Sequence, residues 1–392
     1  MNVMSRVDWG LLPLDIVVHV FSFLRPTDRN RASRVCEAWH EAFQHPSLWL
    51  HIDFWFFLPS HADSLKGVEK YGKYFKSVFV GVIQMLDHNR ENACALLELL
   101  SKIGKRRVTD FEIVFTGENP LFYSGQEFLD ALSILFSPVA DNIAPPLNCL
   151  QHVDFCGLSV PIDDKVLNLL ADNHPGLEFL DIQNKVIVCK VTPGCILRLV
   201  KKCRGITDLR LYHCSMSDDV LEALCQEDRV AKLNHLSIMC RREEKFGSDL
   251  STDAWEKLTL NVPQMRVTLG FDHTCPFNVI PIIMKSVIPV RTLKLETFAE
   301  CHEQVSLAAA YYSETLTKLV LRTRNTAALE DALLAVARSC ARLRSLLVFC
   351  VVREETIDEI FQLQPEMRAR GSYILKSVVE PEPWVVGVEE GD

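Results

Sequence analysis

Apolar side chains recur through residues 150–378 in a pattern of three positions, Leu-x-x-Leu-x-Leu, with aliphatic or aromatic substitutes. Successive copies begin 26 to 29 residues apart, at Leu150, Leu177, Ile206, Leu233, Val262, Val290, Leu316, Leu343 and, most weakly, Arg370. After most copies comes a stretch with apolar residues three and four apart, which is typical of a helix, and a capping residue such as Asp163 or Ser217 precedes it. One strand and one helix per copy predict an α/β repeat solenoid, a horseshoe with a parallel sheet inside and helices outside.

Two irregular copies of the pattern precede the regular array. They begin at Phe75 and Val108, and 42 residues separate the second from Leu150, including an insertion at 118–125 that is either a binding loop or loop padding. The predicted organisation is a helical module (1–50), a linker with irregular first repeats (51–149), the regular repeats (150–378) and an acidic carboxyl-terminal tail (379–392). The tail either covers the last repeat with Trp384 or contacts a partner.

The amino-terminal module has a helical period. Apolar residues recur three and four apart along a first helix that ends at Pro26, at Ile16, Val17, Val20, Phe21 and Leu24. A second short helix is expected to start near Thr27 or Asp28, and a third carries Trp39 and Phe43. Three short helices bury little surface by themselves, so this apolar face needs a partner in the same chain or in another.

The composition of the chain excludes several classes of protein. Of the 392 residues, 48% are hydrophobic and 24% charged, which excludes disorder over most of the length, and the formal charge of −9 argues against nucleic-acid binding. The apolar amino terminus is interrupted by Asp15 and His19, and the longest apolar runs are too short to span a membrane. Fourteen Cys without a secretory signal predict reduced thiols and a cytoplasmic or nuclear protein.

The sequence contains no strong motif for a catalytic or metal-binding site. The pairs His273-x-Cys275 and Cys301-His302 lack a second pair at zinc spacing, and no phosphate-binding glycine loop, HExxH or Gly-x-Ser-x-Gly motif occurs. We expect no catalytic residues, no metal and no cofactor. The basic stretch at Lys102, Lys105, Arg106 and Arg107 is either a nuclear-import or phosphate patch or a solvated turn.

One set of residues in the helical module joins a Leu-Pro pair, a Val-Cys-x-x-Trp element and a closing Leu-Trp: Leu12-Pro13, Ile16-Val17, Phe21, Phe23-Leu24, Asp28, Val35-Cys36, Trp39, Pro46 and Leu48-Trp49. In these residues and their separations the module resembles the F-box. With the repeats, the chain resembles the F-box/leucine-rich-repeat family over nearly its whole length. This resemblance implies docking to the Skp-type adaptor of a cullin-RING ubiquitin ligase, through Leu12, Pro13, Ile16, Val17, Val20, Phe21 and Leu24. Trp39 and Trp49 are expected to close the helical core. The alternative is a helical cap that packs only on its own chain.

Side chains between the core leucines are expected to face the concave side, because strand side chains alternate. The central column then reads acidic, basic and apolar in turn, through Glu112, Asp154, Asp181, Arg210, Ser237, Arg266, Lys294, Val320 and Leu347. The predicted substrate-binding residues are Asp154, Phe179, Asp181, Arg210, Tyr212, Arg266, Lys294, Lys318, Arg322, Leu347 and Phe349. The alternative is a solvated face whose charges neutralise one another.

Together these patterns predict a non-enzymatic substrate receptor of an SCF-type ubiquitin ligase. The helical module would bind the adaptor, and the repeats would hold a protein substrate for ubiquitination and degradation. The alternative is a leucine-rich-repeat scaffold that binds a Skp-type adaptor without delivering a substrate, or that binds only other proteins.

Overall fold

The computed structural model describes residues 9–104, 106–120, 123–138, 150–184, 186, 188–245 and 249–377. They fall into two compact units, Met1–Val160 and Pro161–Asp392. The predicted acidic tail, Lys105 and part of the 118–125 insertion lie outside the described residues. In the part of the chain that is described, no helix has the length and apolar character needed to cross a membrane.

Three short helices open the first unit: α1 (Leu14–Ser22), α2 (Pro26–Ala32) and α3 (Glu37–Phe43). Single turns of 3-10 helix flank them at Trp9–Leu11 and Pro46–Trp49. The second helix begins at Pro26 rather than at Thr27 or Asp28. Proline fits this first position because its fixed φ is already helical and its missing N–H has no partner there anyway.

The first unit continues as a parallel sheet whose strands follow chain order. These are β1 (His51–Phe56), β2 (Ser77–Val82), β3 (Asp110–Phe115) and β4 (His152–Asp154), with helices α4 (Val68–Tyr71), α5 (Asp87–Ser101) and α6 (Gln126–Phe136) between them. Val78 pairs with Phe111, and Phe111 pairs with Val153, which confirms the two irregular copies as strands. Strand β1 was not predicted, although its side chains alternate between exposed and buried.

The second unit repeats strand and helix in the same way, which confirms the predicted α/β repeat solenoid. Its parallel strands are β5 (Phe179–Asp181), β6 (Asp208–Tyr212), β7 (His235–Cys240), β8 (Arg266–Phe271), β9 (Val290–Leu295), β10 (Lys318–Leu321), β11 (Ser345–Val351) and β12 (Tyr373–Lys376). Its helices are α7 (Asp164–Asn173), α8 (Pro193–Lys202), α9 (Asp218–Leu224), α10 (Thr252–Asn261), α11 (Ile280–Ile283), α12 (His302–Tyr311), α13 (Ala327–Ser339), α14 (Glu354–Leu363) and α15 (Pro365–Arg370).

Side-chain caps start several of these helices. The hydroxyl of Ser217 accepts from the N–H of Val220, and Asp163, Thr192, Ser251 and Thr326 cap their helices in the same way. Each cap satisfies a backbone donor that the first helical turn leaves without a partner. The strand leucines lie beneath the helices in a core where many side chains have no exposed surface.

One regular copy lies two residues later than the sequence predicts. Leu236 of β7 pairs with Val267 of β8, whereas the sequence pattern had assigned that place to Met265. A register irregularity at the start of β8 follows, after which Leu269 pairs with Leu293 of β9. Because Met265, Val267 and Leu269 alternate along one strand, a shift by two residues preserves the apolar pattern.

This register corrects the predicted central column. We call one side of the strands the open face. It is the side that carries the residues lying between the buried leucines. There Ser237 pairs with Thr268 rather than lying beside Arg266, and Lys294 pairs with Gly270. Arg266 and Lys294 therefore lie at different levels of the sheet, and the prediction that they are direct neighbours is wrong.

A buried carboxylate joins two neighbouring repeats near the end of the array. Glu330 of α13 is 2% exposed and accepts hydrogen bonds from Asn325 (2.7 Å), Thr356 (2.6 Å) and the side chain of Arg353 (2.5 Å). Burial raises the pKa of this carboxyl, but the hydrogen bonds from Asn325, Thr356 and Arg353 outweigh that effect and hold its pKa at about 2.

We expect Glu330→Gln to lower the free energy of unfolding by about 3 kcal/mol at neutral pH, since it removes a buried carboxylate that accepts hydrogen bonds from three side chains. A depressed pKa stabilises the fold above the unfolded-state value of 4.5, and this contribution disappears as pH falls towards 2. Urea unfolding at several pH values should show the difference between native and variant shrinking in that window. Glu359→Gln, at a half-exposed ion pair with Arg338, is the control and should change stability by less than about 1 kcal/mol. A Glu330→Gln deficit that is independent of pH would contradict this account.

Candidate functional site

A single arginine holds the amino-terminal helices together. The guanidinium of Arg29 donates through Nε to the carbonyl oxygens of Phe21 and Leu24, both at 2.8 Å, and through Nη1 to that of Leu48 at 2.7 Å. It thereby satisfies the carbonyls at the end of α1, where a cation is also favoured by the helix dipole. The role of Arg29 was not predicted, because nothing in its spacing distinguishes it from the neighbouring surface arginines.

The apolar residues of α1 divide into a buried and an exposed set. Val17, Val18 and Phe21 are 2%, 9% and 0% exposed, and the Phe21 ring meets Trp39 edge-on at 5.6 Å. Val17 and Phe21 were predicted to contact an adaptor, but in this structure neither side chain is accessible to one. Both side chains pack inside the module and support the surface from beneath.

The exposed set forms one ridge. Ile16, Val20 and Phe23 lie four and three residues apart on one side of the helix end and are 49%, 44% and 76% exposed. We call these three residues the apolar ridge. Leu11 and Val35 add exposed apolar surface in the same module. Of the other predicted adaptor contacts, Pro13 is exposed, whereas Leu12 and Leu24 are half-buried. Phe23 was missing from the predicted contact set, although its spacing from Val20 could have indicated it.

Aromatic packing fixes the module to the rest of its unit. The Trp49 ring stacks on Tyr71 of α4, with centroids 3.9 Å apart and planes 2° from parallel, and Phe43 packs edge-on against Trp49 at 5.1 Å. The indole N–H of Trp49 donates to the carbonyl oxygen of Phe43 at 2.9 Å, and that of Trp39 donates to the carbonyl oxygen of Trp9 at 3.1 Å. Both tryptophans therefore close the helical core, as predicted.

On the open face of the first unit, carboxylates and aromatic rings lie side by side. Phe79 pairs with Asp53 and with Glu112, and Glu112 pairs with Asp154. Burial and the carboxylates of Asp154 and Asp53 raise the pKa of Glu112. Asp154, a predicted substrate residue, accepts a hydrogen bond from the backbone N–H of Cys156 at 2.8 Å.

The Trp55 ring lies across Gly81 on the same face. A side chain at Gly81 would place its Cβ 2.2 Å from the ring, so glycine is required for this close approach. The ring is 40% exposed and packs against Phe79 at 4.9 Å. This aromatic surface was not predicted, because strand β1 was not predicted.

In the second unit, several predicted substrate residues neutralise one another. Arg210 pairs with Asp208 at 3.0 Å and with Asp181 at 3.4 Å, and its guanidinium lies 4.7 Å from the centre of the Phe179 ring. Asp181 is only 3% exposed and also accepts from the backbone N–H of Gln183. Asp181 is therefore held within the sheet with little surface open to another molecule, and its role as a substrate contact stays a prediction.

Tyr212 is held in a similar way. It is 3% exposed, its hydroxyl hydrogen-bonds with Asn184, and the guanidinium of Arg241 lies 5.1 Å above its ring while pairing with Asp272 at 3.0 Å. Tyr212 therefore also has little surface open to another molecule, and its role as a substrate-binding residue stays a prediction. For this part of the sheet, the structure supports the alternative of a face whose charges neutralise one another.

The remaining predicted residues lie further along the open face. Arg322 pairs with Glu296 at 2.9 Å and lies 4.2 Å above the Phe349 ring, which is 42% exposed, and Leu347 is half-buried. Arg266 is exposed, and Lys294 and Lys318 are half-buried. These residues can contact another molecule.

The two candidate metal pairs are poorly suited to binding metal. Cys275 and Cys301 are 7% and 1% exposed. Burial, with smaller effects from Glu244 and Asp272, raises the pKa of Cys275 to about 12, and burial raises that of Cys301. A raised pKa favours the thiol over the thiolate that binds metal. All thirteen cysteines of the described residues are free.

Comparison with known proteins identifies the family. Residues 9–55 match the F-box-like domain. Human F-box/LRR-repeat protein 8 is 28% identical over 380 residues, and its bovine counterpart is 30% identical over 388 residues, each alignment covering 95% of this chain and 96% of the relative. Sheep F-box/LRR-repeat protein 21 is 30% identical over 283 residues, covering 68% of this chain and 60% of that protein. The chain belongs to the F-box/LRR-repeat family. Helices α1 to α3 are its F-box, and an F-box domain implies binding to a Skp-type adaptor.

Within this F-box/LRR-repeat chain, we expect Arg29→Lys to lower the free energy of unfolding by about 2 to 3 kcal/mol. One ammonium group cannot reach the carbonyls of Phe21, Leu24 and Leu48 together, so buried acceptors lose their partner. Urea unfolding followed by tryptophan fluorescence measures the change. Arg25→Lys is the matched control, because Arg25 is exposed and pairs only with Asp28; it should change stability by less than about 0.5 kcal/mol. Equal effects of the two substitutions would contradict the role given to Arg29.

Proposed function

We propose that this protein is the substrate-recognition component of an SCF-type ubiquitin ligase. The observation that carries the proposal is the apolar ridge, three large side chains exposed on a module whose own core is complete. Exposed apolar patches of this kind mark protein interaction sites. Membership of the F-box/LRR-repeat family supports a Skp-type adaptor as the partner, and through it a cullin-RING ligase in the cytoplasm or nucleus.

The buried residues give this surface its rigidity. Phe21 and Val17 fix α1 from beneath, and Arg29 fixes its carboxyl-terminal end. A rigid helix loses little conformational freedom when a partner binds, which leaves more of the contact energy for affinity. The proposed adaptor contacts are therefore the apolar ridge together with Pro13, Leu12 and Leu24.

The substrate is proposed to bind the open face of the repeats. Rows of parallel strands present side chains at fixed spacing, as a recognition surface requires. The chain itself carries out no chemistry in this proposal. It holds a protein beside the ubiquitin-charged conjugating enzyme, raising the effective concentration of the substrate lysines so that ubiquitination and degradation follow.

The residues proposed for substrate contact are those that the structure leaves accessible. In the second unit they are Arg266, Lys294, Lys318, Leu347 and Phe349. Arg210, Phe179 and Arg322 are engaged in contacts within the sheet and would shape its surface. Asp154 belongs to the face of the first unit, where it would act with Glu112.

We expect the double substitution Ile16→Asp/Val20→Asp to weaken binding to a purified Skp-type adaptor at least about 100-fold. Two apolar contacts near the centre of an interface are replaced by charges that would have to be desolvated. Isothermal titration calorimetry with the full chain measures the dissociation constant, and thermal unfolding checks that the variant is folded.

The matched control is Leu260→Asp, since Leu260 is 80% exposed on α10 and lies outside the F-box. This variant should bind the adaptor like the native chain. Failure of the native chain to bind any Skp-type adaptor would overturn the proposed function and leave an interaction scaffold. Unchanged binding by the double variant would remove the apolar ridge from the proposed interface.

A further inference from the structure

Basic side chains gather at the starts of four consecutive strands in the second unit. They are Arg266, Arg291, Lys318, Arg342 and Arg344, and we call them the basic row. Arg266 and Lys318 are the first residues of β8 and β10, Arg291 is the second of β9, and Arg344 immediately precedes β11. The row thus follows the end of the sheet at which strands β8 to β11 begin.

Backbone hydrogen bonds fix the order of the row. The N–H of Thr317 donates to the carbonyl oxygen of Arg291, and the N–H of Arg344 donates to that of Thr317, both at 2.8 Å. Arg291 and Arg344 therefore lie on either side of the strand that contains Lys318. Neighbouring strands are about 4.8 Å apart, so the four strands spread these charges over about 14 Å.

No carboxylate neutralises this row within the described residues. The ion pairs found there involve Arg210, Arg241 and Arg322 on the same sheet, each with an acidic partner, but none of the five row residues. Burial and the nearby charges of Arg266, Arg342 and Arg344 lower the pKa of Arg291. Like charges kept this close without an acidic partner destabilise the fold unless an anion is bound.

We propose that the basic row binds an extended acidic segment of the substrate protein through successive Asp or Glu carboxylates. The inference rests on the proposed function, since it names the class of substrate that the receptor would select. Four of the five row residues are arginines, whose planar guanidinium can bind a carboxylate through two parallel hydrogen bonds.

The spread of the row favours carboxylates over a single phosphate. One phosphate group is satisfied by two or three cations that converge on it, whereas the cations of the basic row are distributed over the starts of four strands. An extended chain rises about 3.3 Å per residue, so about four to five residues span the row. The net charge of −9 for the whole chain argues against a nucleic acid as the partner.

The test uses the full chain and a fluorescein-labelled peptide of alternating Glu and Ser, with fluorescence anisotropy as the readout. The native chain should bind this peptide, and binding should weaken as salt rises. A peptide with Gln in place of every Glu should not bind. The triple variant Arg266→Ser/Arg291→Ser/Arg344→Ser should bind the Glu peptide about tenfold more weakly or worse. Its thermal unfolding midpoint should not fall, because the substitutions relieve repulsion.

The matched control removes the same charge elsewhere in the unit. Arg198→Ser/Arg204→Ser/Arg338→Ser replaces three half-exposed arginines that pair with Asp or Glu, and it should bind the Glu peptide like the native chain. Equal loss in both triple variants, or equal binding of the Glu and Gln peptides, would overturn the proposal.

Two further probes test whether the basic row prefers another kind of anion to carboxylates. A peptide with a single phosphoserine and an RNA oligonucleotide are measured in the same assay, and row-dependent binding of either that exceeds binding of the Glu peptide would overturn the assignment to carboxylates. Adaptor binding is measured in parallel. If the native chain binds the Glu peptide through the basic row but binds no adaptor, the peptide-binding role of the row is supported and the receptor role is overturned. Failure of this inference and failure of the proposed function are therefore distinguishable.

Discussion

Stacking of each repeat on its neighbours determines how the chain buries its apolar side chains. A strand and a helix of about 27 residues cannot bury their own leucines, so each copy is stable only with the next one against it. This requirement fixes the register of the leucine columns and, with it, every position on the open face. The pairing of β8 with β9 contains one irregularity near the start of β8. Beyond it, the columns of buried leucines continue into β9. The charges that result, neutralised around Arg210 and uncompensated along the basic row, are a consequence of that register.

The F-box solves the same problem of burial differently. Its helices are too short to hide all their apolar side chains, so Val17 and Phe21 fill the core while the apolar ridge stays in solvent. Arg29 and the stack of Trp49 on Tyr71 make this arrangement rigid. An exposed apolar surface that its own core holds rigid is suited to binding another protein.

The sequence predicts much of this architecture, because a period near 27 residues survives wherever strand and helix alternate. It could not fix the register of β8, since Met265, Val267 and Leu269 fit the pattern equally well. Nor could it separate Val17 from Ile16, because an apolar helix face does not show which half is buried. The sequence does not show that Asp181 and Tyr212 are held within the sheet. Their partners, Arg210 and Arg241, lie one repeat away in sequence and become neighbours only in the folded sheet.

Hydroxyl-radical footprinting of the native chain, with and without a purified Skp-type adaptor, would show whether the apolar ridge is the adaptor-binding surface. We expect Phe23 to be labelled in the free chain and protected when stoichiometric adaptor is added. Phe21 should remain unlabelled in both states because it is buried, and Phe349, which lies on the repeats, should be labelled in both. Equal labelling of Phe23 in the two states, or its protection in the free chain, would contradict the role proposed for the apolar ridge.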